Sequence, residues 1–165
     1  MIHFDEMRRK FRVPKFSLAV LALLPLFIGA CGEREAEGVP GLGEIMIANQ
    51  TRHAKLWFAG QAENWPLASY ELDELEEGFE MVVEYHPTHE KSPVSLAETL
   101  PALTKQPIAD LRSAIGAQSP SKFAPAFDSL TRACNACHQA TTYSFNVITR
   151  PTANWFANQD FSPTN

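Results

Sequence analysis

The sequence has 165 residues, of which 45% are hydrophobic and 20% charged, which suffices for one compact domain but not for two large ones. Its 14 basic and 19 acidic residues give a formal net charge of −5, which argues against a nucleic-acid binder with a basic footprint. The charge is uneven, because residues 1–30 have a net charge of +3 and the remaining 135 residues one of −8. Three cysteines are too few for a disulfide framework and suggest another kind of covalent chemistry.

The N-terminus has the layout of an export signal. Basic residues precede an apolar stretch over residues 16–30, which is shorter than the roughly 20 residues that span a bilayer. Residues 28–31, Ile-Gly-Ala-Cys, resemble the lipobox of bacterial lipoproteins, whose cysteine is acylated and becomes the mature N-terminus. The resemblance implies a signal peptide over residues 1–30, a lipid on Cys31 and a periplasmic location. Because Gly32 rather than aspartate follows, it favours the outer over the inner membrane. The alternatives are an uncleaved anchor helix and an ordinary signal with an incidental cysteine.

Two helices are predicted after a flexible tether over residues 31–43, which is rich in glycine and glutamate. From Glu44 to Ala62 no proline occurs and bulky residues recur at spacings of three and four, which predicts a first helix. Asn64 can cap a second helix that has Pro66 in its first turn and runs to about Tyr85. The acidic face of this helix is either a docking surface for a basic partner or a solvated face. It consists of Glu71, Asp73, Glu74, Glu76, Glu77, Glu80 and Glu84.

A third and a fourth helix complete the predicted fold. Residues 95–117 are predicted to form a third helix that is kinked or in two pieces, because Pro101 and Pro107 interrupt it. A fourth helix follows a cap at residues 119–121, and residues 144–165 form an irregular C-terminal extension packed by its aromatic side chains. Four amphipathic segments joined by short loops predict an all-α fold, an antiparallel four-helix bundle over residues 44–143.

One motif carries specific chemistry. Residues 134–138, Cys-Asn-Ala-Cys-His, match C-x-x-C-H, the attachment motif of a c-type haem. Two cysteines three residues apart on a helical turn can present both sulfurs to the vinyl groups at one edge of a porphyrin, and the next imidazole can reach its iron. The alternatives are a redox dithiol, which normally starts a helix near a βαβ unit, and a zinc site, which needs a fourth ligand. Export favours haem, because c-type attachment takes place on the exported side in bacteria.

A C-x-x-C-H motif late in the last helix of a four-helix bundle resembles the cytochrome c-prime family, the class II cytochromes c. The resemblance covers roughly residues 44–142. It implies one covalent haem c, with thioether bonds to Cys134 and Cys137 and with His138 as the proximal iron ligand. It also makes a homodimer a candidate assembly. The 27 residues that follow His138 depart from the family, whose chains stop soon after the motif.

The sixth iron ligand is predicted from the register of the antiparallel first and fourth helices. His138 lies 17 residues into the fourth helix, and the same count back from the end of the first helix reaches position 45, beside Met46. Met46 is therefore the first candidate, since His/Met ligation raises the reduction potential and suits electron transfer. His53, roughly 10 Å further along, is predicted to be a pocket wall or a propionate partner, with iron ligation as an alternative. Trp57 is a candidate pocket residue that core packing also explains. An iron without a second protein ligand is the third possibility.

The leading functional hypothesis is a membrane-tethered monohaem cytochrome that transfers single electrons to and from partner proteins. The alternative is a five-coordinate haem protein that binds NO or CO, as cytochromes c-prime do, which requires an open, apolar distal face. A catalytic role such as peroxide reduction is the least favoured, because only Arg52 with His53 offers a distal acid–base pair. The sequence therefore predicts an electron carrier rather than an enzyme.

Overall fold

The structure, a computed structural model, describes residues 38–163. These residues form four α-helices: α1 (Leu42–Gln61), α2 (Trp65–Tyr85), α3 (Leu96–Gly116) and α4 (Pro120–Ala140). No strand occurs among them, so the predicted all-α fold with four helices is confirmed. The predicted signal peptide, Cys31 and most of the predicted tether lie outside the described residues.

Local hydrogen bonds explain where the first two helices begin. The Asn64 side chain accepts a hydrogen bond from the Leu67 amide at 3.3 Å, and a proline stands in the first turn of α2, as predicted. α1 begins at Leu42, two residues before the predicted start, because the Glu44 carboxylate accepts a hydrogen bond from the Gly41 amide at 3.1 Å. The helix therefore extends into the predicted tether.

α3 is one continuous helix although it contains Pro101 and Pro107, so the predicted division into two pieces is wrong. The two prolines alternate with the buried residues of the helix and do not themselves belong to its buried face. The carbonyl groups that lose an intrahelical partner to each proline can then be hydrated, while the buried face keeps the helix packed on the bundle.

Arginine–carboxylate pairs fasten α2 to both of its neighbours. Arg52 of α1 pairs with two carboxylates of α2, and Arg112 of α3 pairs with two more. The four carboxylates are those of Glu71, Glu74, Asp73 and Glu76. Most of the acidic face predicted on this helix is thus engaged within the bundle, and Glu71 is only 1% exposed. The acids that stay exposed without such a pair are Glu77, Glu80 and Glu84.

α1 and α4 meet through an aromatic cluster, which consists of Trp57, Phe123 and Phe127. The Trp57 ring lies 4.9 Å from that of Phe127 and 6.1 Å from that of Phe123. Gly60 permits this approach, because a Cβ at that position would lie 2.1 Å from the Phe123 ring. α1 and α4 are the least closely packed of the neighbouring helix pairs, and part of both helices lines a cavity.

Candidate functional site

A cavity of about 370 Å³ is lined by residues from all four helices. Its volume falls in the range of small-molecule and cofactor sites, about 300–1,000 Å³. α4 contributes Cys134, Cys137 and His138, and α1 contributes Met46 and His53. The apolar side chains that α2 and α3 add to the wall include Leu75, Phe79, Leu96 and Leu100.

The two thiols of the motif lie in surroundings that suppress their ionisation. Burial, and to a lesser extent the neighbouring Cys137, raises the pKa of the Cys134 thiol to about 12. Burial also raises the pKa of Cys137. A redox dithiol depends on a thiolate, which this environment disfavours. An uncharged thioether carries no such penalty, so the environment suits covalent attachment of an apolar group.

The His138 imidazole is held in one tautomer. Its Nδ1 donates a hydrogen bond to the Asn146 backbone carbonyl at 2.7 Å. Because a carbonyl oxygen can only accept, the proton of the neutral ring lies on Nδ1, and Nε2 carries a free lone pair. A backbone carbonyl behind the imidazole is the usual partner of a metal-bound histidine. His138 can therefore bind a metal through Nε2 at the cavity.

Met46 and the motif line the same cavity, which is what the register of α1 and α4 predicts for a distal ligand. The thioether of Met46 is half-buried and packs against the core. The geometry brings Met46 to the site but does not by itself make it a ligand, since methionine also serves in ordinary core packing.

His53 also lines the cavity, but one of its nitrogens is already engaged. The ring is 3% exposed, and its Nε2 lies 2.8 Å from the Thr131 hydroxyl. That hydroxyl donates its proton to the Phe127 carbonyl at 3.0 Å and therefore accepts from His53 Nε2. Only Nδ1 of His53 has a lone pair to offer. This arrangement suits a wall residue better than an iron ligand.

Acidification should destabilise the fold through His53. Burial lowers the pKa of His53 to about 4, while the unfolded value is about 6.5. At a pH between these two pKa values, His53 is protonated in the unfolded chain and neutral in the folded one. The free energy of unfolding should thus fall by on the order of 3 kcal/mol from pH 7 to pH 4. Urea unfolding at several pH values, carried out on the wild type and on His53→Leu, measures this loss. If the free energy of unfolding falls equally with pH in the two proteins, the prediction is contradicted.

Trp57, a candidate pocket residue in the sequence, does not line the cavity. It lies in the aromatic cluster, and the Arg150 guanidinium lies over its ring at 4.4 Å from the ring centroid. Its position on α1 places it one turn beyond His53, past the end of the cavity. Trp57 therefore supports the contact between α1 and α4, and the core-packing interpretation describes it.

An incompletely satisfied amide borders the cavity. Asn49 of α1 is buried, and within the described residues its Nδ2 has no hydrogen-bond partner. Gly78 of α2 makes room for it, because a Cβ there would lie 1.9 Å from Asn49 Oδ1. An unsatisfied buried amide costs about 1–3 kcal/mol, so a polar group bound in this region would stabilise the site.

Several residues at the cavity were not expected from the sequence. His89 of the α2–α3 loop lines it, with Nδ1 at 3.5 Å from the Tyr143 hydroxyl. Tyr143, Asn146 and Ile148 reach it from the segment after α4. The aromatic content of that segment predicts that it packs on the bundle, but no sequence pattern indicates where.

Comparisons of the chain with protein-family models, curated proteins and solved structures found no match. The class of site is therefore defined by its own chemistry: an apolar cavity with two thiols, a metal-competent imidazole and a thioether. Across residues 38–163, no helix has the length and apolar character needed to cross a membrane.

Proposed function

We propose that the protein is a monohaem c-type cytochrome of class II character that carries single electrons. The observation that supports the proposal is the convergence of Cys134, Cys137, His138 and Met46 on one apolar cavity. The first three are far from Met46 in sequence, so their meeting follows from the bundle and not from local chain geometry.

These residues fit a covalently bound haem c. Cys134 and Cys137 would hold it through thioether bonds, and His138 would bind its iron through Nε2. Haem c supplies one-electron chemistry, since its iron alternates between the ferrous and ferric states. Met46 would be the second protein ligand of the iron, and the Asn49 amide would be available to a polar edge of the bound group.

The other lining residues control the surroundings of the iron. The apolar side chains of Leu75, Phe79 and Leu100 exclude water from the cavity wall. A dry, low-dielectric wall disfavours the more highly charged ferric state, and a methionine ligand acts in the same direction. Both features suit a carrier with a raised reduction potential.

A carrier is better supported than a catalyst because the candidate acid–base pair is not assembled. Arg52 is directed to Glu71 and Glu74 of α2. His53, the next residue, is bound to Thr131 of α4. The two side chains thus bind to different helices, whereas peroxide chemistry would need both of them beside one bound substrate.

Replacing Met46 tests the proposed ligand set. We expect the ferrous wild type to have a low-spin, six-coordinate absorption spectrum and Met46→Ala to have a high-spin, five-coordinate one with a lower reduction potential. The matched control is Met81→Ala, because Met81 packs against the core on α2 but does not line the cavity. Its spectrum should equal that of the wild type.

The outcomes separate the two functions. An unchanged spectrum in Met46→Ala would remove Met46 from the ligand set. A wild type that is already high-spin in the ferrous state and binds CO readily would favour the alternative, a five-coordinate protein that binds small gases.

The N-terminal sequence supports a proposal for the location of the protein, and the exposed acids of α2 support one for its partners. We propose that the haem domain is exported and tethered to a membrane in the periplasm by a lipid on Cys31. Its partners would be redox proteins, with a basic surface suited to the exposed acids Glu77, Glu80 and Glu84. Solubility of Cys31→Ala without detergent, against retention of the wild type in the membrane fraction, tests the tether.

A further inference from the structure

The segment after α4 is fastened across the bundle. We call residues 143–161 the C-terminal strap. At its far end Phe161 is buried against Phe58 of α1, with ring centroids 5.5 Å apart. Asn64 Nδ2 also donates a hydrogen bond to the Phe161 carbonyl at 3.2 Å. The strap therefore returns from the end of α4 to the turn between α1 and α2.

Near its start the strap is joined to the C-x-x-C-H motif by four hydrogen bonds, one of which runs from the Tyr143 amide to the His138 carbonyl at 2.8 Å. Asn135, the first variable residue of the motif, donates from Nδ2 to the Ile148 carbonyl and accepts from the Ile148 amide, both at 2.8 Å. His138, three residues later, donates from Nδ1 to the Asn146 carbonyl at 2.7 Å. Residues three apart lie on one face of a helix. The Asn135 side chain thus binds the strap at Ile148, two residues beyond Asn146, whose carbonyl accepts the hydrogen bond from His138.

A turn closed by a hydrogen bond from the Asn146 amide to the Tyr143 carbonyl at 2.8 Å leads to this point, and no side chain of residues 144–147 is buried. The side chains on either side of Asn146 are directed to solvent, with Phe145 80% and Val147 65% exposed. Asn146 is exposed as well, so water can compete for its carbonyl if the backbone moves. The paired amide hydrogen bonds of Asn135 fix the backbone where buried side chains do not.

We infer that Asn135 is a positioning residue: through Ile148 it keeps the Asn146 carbonyl on the Nδ1 proton of His138 and thereby lowers the reduction potential of the site. The inference rests on the proposed function, because the potential is that of an iron bound by His138. A fixed acceptor draws on the Nδ1 proton and makes Nε2 more basic. A more basic ligand stabilises the ferric state relative to the ferrous state.

The test is the midpoint potential of Asn135→Ala, measured on the full-length haem-loaded protein. We expect an upward shift relative to the wild type, with haem content and the ligand class of the spectrum unchanged. The matched control is Asn154→Ala. Asn154 is an exposed asparagine of the same strap, and it accepts only a local hydrogen bond from the Phe156 amide at 2.9 Å. Its potential should equal that of the wild type.

A second variant addresses the strap from a different contact. Arg150 pairs with Asp128 of α4, two residues beyond Ile148. The double substitution Asp128→Asn with Arg150→Gln removes this pair without changing the net charge. Because the Asn135 hydrogen bonds remain, its potential should stay close to the wild-type value, and a shift as large as that of Asn135→Ala would overturn the inference.

The results distinguish the inference from the function on which it rests. An Asn135→Ala protein that keeps its haem and the wild-type potential overturns the inference, as does an equal shift in Asn154→Ala. If Asn135→Ala does not fold, Asn135→Ser decides, because its shorter side chain cannot make both hydrogen bonds to Ile148; an unchanged potential in that variant overturns the inference. A wild type without covalent haem would instead refute the proposed function.

Discussion

Replacing both Cys134 and Cys137 by alanine is expected to yield a protein without covalently bound haem. Expressed in a host that matures c-type cytochromes, the wild type should gain the mass of one haem and keep its colour after denaturation. The double variant should have the mass of its polypeptide and lose any pigment to acidified organic solvent. His138 and Met46 remain in the double variant, so some haem can bind reversibly. Without the thioether bonds, that haem is released when the bundle unfolds. Mass spectrometry under denaturing conditions gives the result directly.

The single variants and Cys31→Ala provide controls for this experiment. Cys134→Ala and Cys137→Ala each leave one thiol at the cavity and should retain part of the covalent pigment. Cys31→Ala should keep all of it, because Cys31 belongs to the proposed lipid signal and not to the motif. A colourless wild type of unmodified mass, from a host shown to mature other c-type cytochromes, would refute the haem proposal.

The helices and their order were predictable because each carries local signals. Asn64 caps α2 and Pro66 occupies its first turn, and both act within one helical turn of the chain. The position of Met46 at the same cavity as His138 also followed from counting, since α1 and α4 have nearly equal lengths of 20 and 21 residues. Antiparallel packing then fixes which residues meet.

The strap could not be predicted because its decisive contacts are made by the backbone. His138 binds the carbonyl of Asn146, and Asn135 binds the amide and carbonyl of Ile148. Any residue supplies these groups, so the identity of the side chains at 146 and 148 gives no signal. The continuity of α3 was missed for a related reason: Pro101 favours a break locally, and burial of the other helix face outweighs it.

The bundle divides into a packed part and a part that is open for a ligand. In the packed part the aromatic cluster joins α1 to α4. In the open part the same two helices line the cavity. His53 lies at the boundary, because its ring packs at 4.3 Å from that of Phe127 and also lines the cavity. The cluster therefore sets how far apart the two cavity walls stand.

Phe127→Ala should accordingly destabilise the protein more than any other single change proposed for the core. Phe127 is fully buried, with 0% exposure, and contacts both His53 and Trp57 of α1. Removing a buried phenylalanine ring leaves a cavity and costs about 3–5 kcal/mol. Domains of this size are stable by roughly 5–15 kcal/mol, so the loss is a large share of the total. It falls on the contact that joins the two walls of the site, and the low-spin spectrum that depends on Met46 should therefore be lost at a lower urea concentration than in the wild type, while the covalent haem stays attached.

Urea unfolding at pH 7 measures this loss, with Phe145→Ala as the matched control. Phe145 is 80% exposed, so its truncation should change the free energy of unfolding by no more than about 0.5 kcal/mol. The slope against urea should be similar in all three proteins if the same surface is exposed on unfolding. A loss below about 1 kcal/mol for Phe127→Ala would mean that α1 and α4 are held together by something other than the aromatic cluster. A large loss of unfolding free energy in Phe127→Ala, with none in Phe145→Ala, would show that the Phe127 ring stabilises the contact between the two cavity walls.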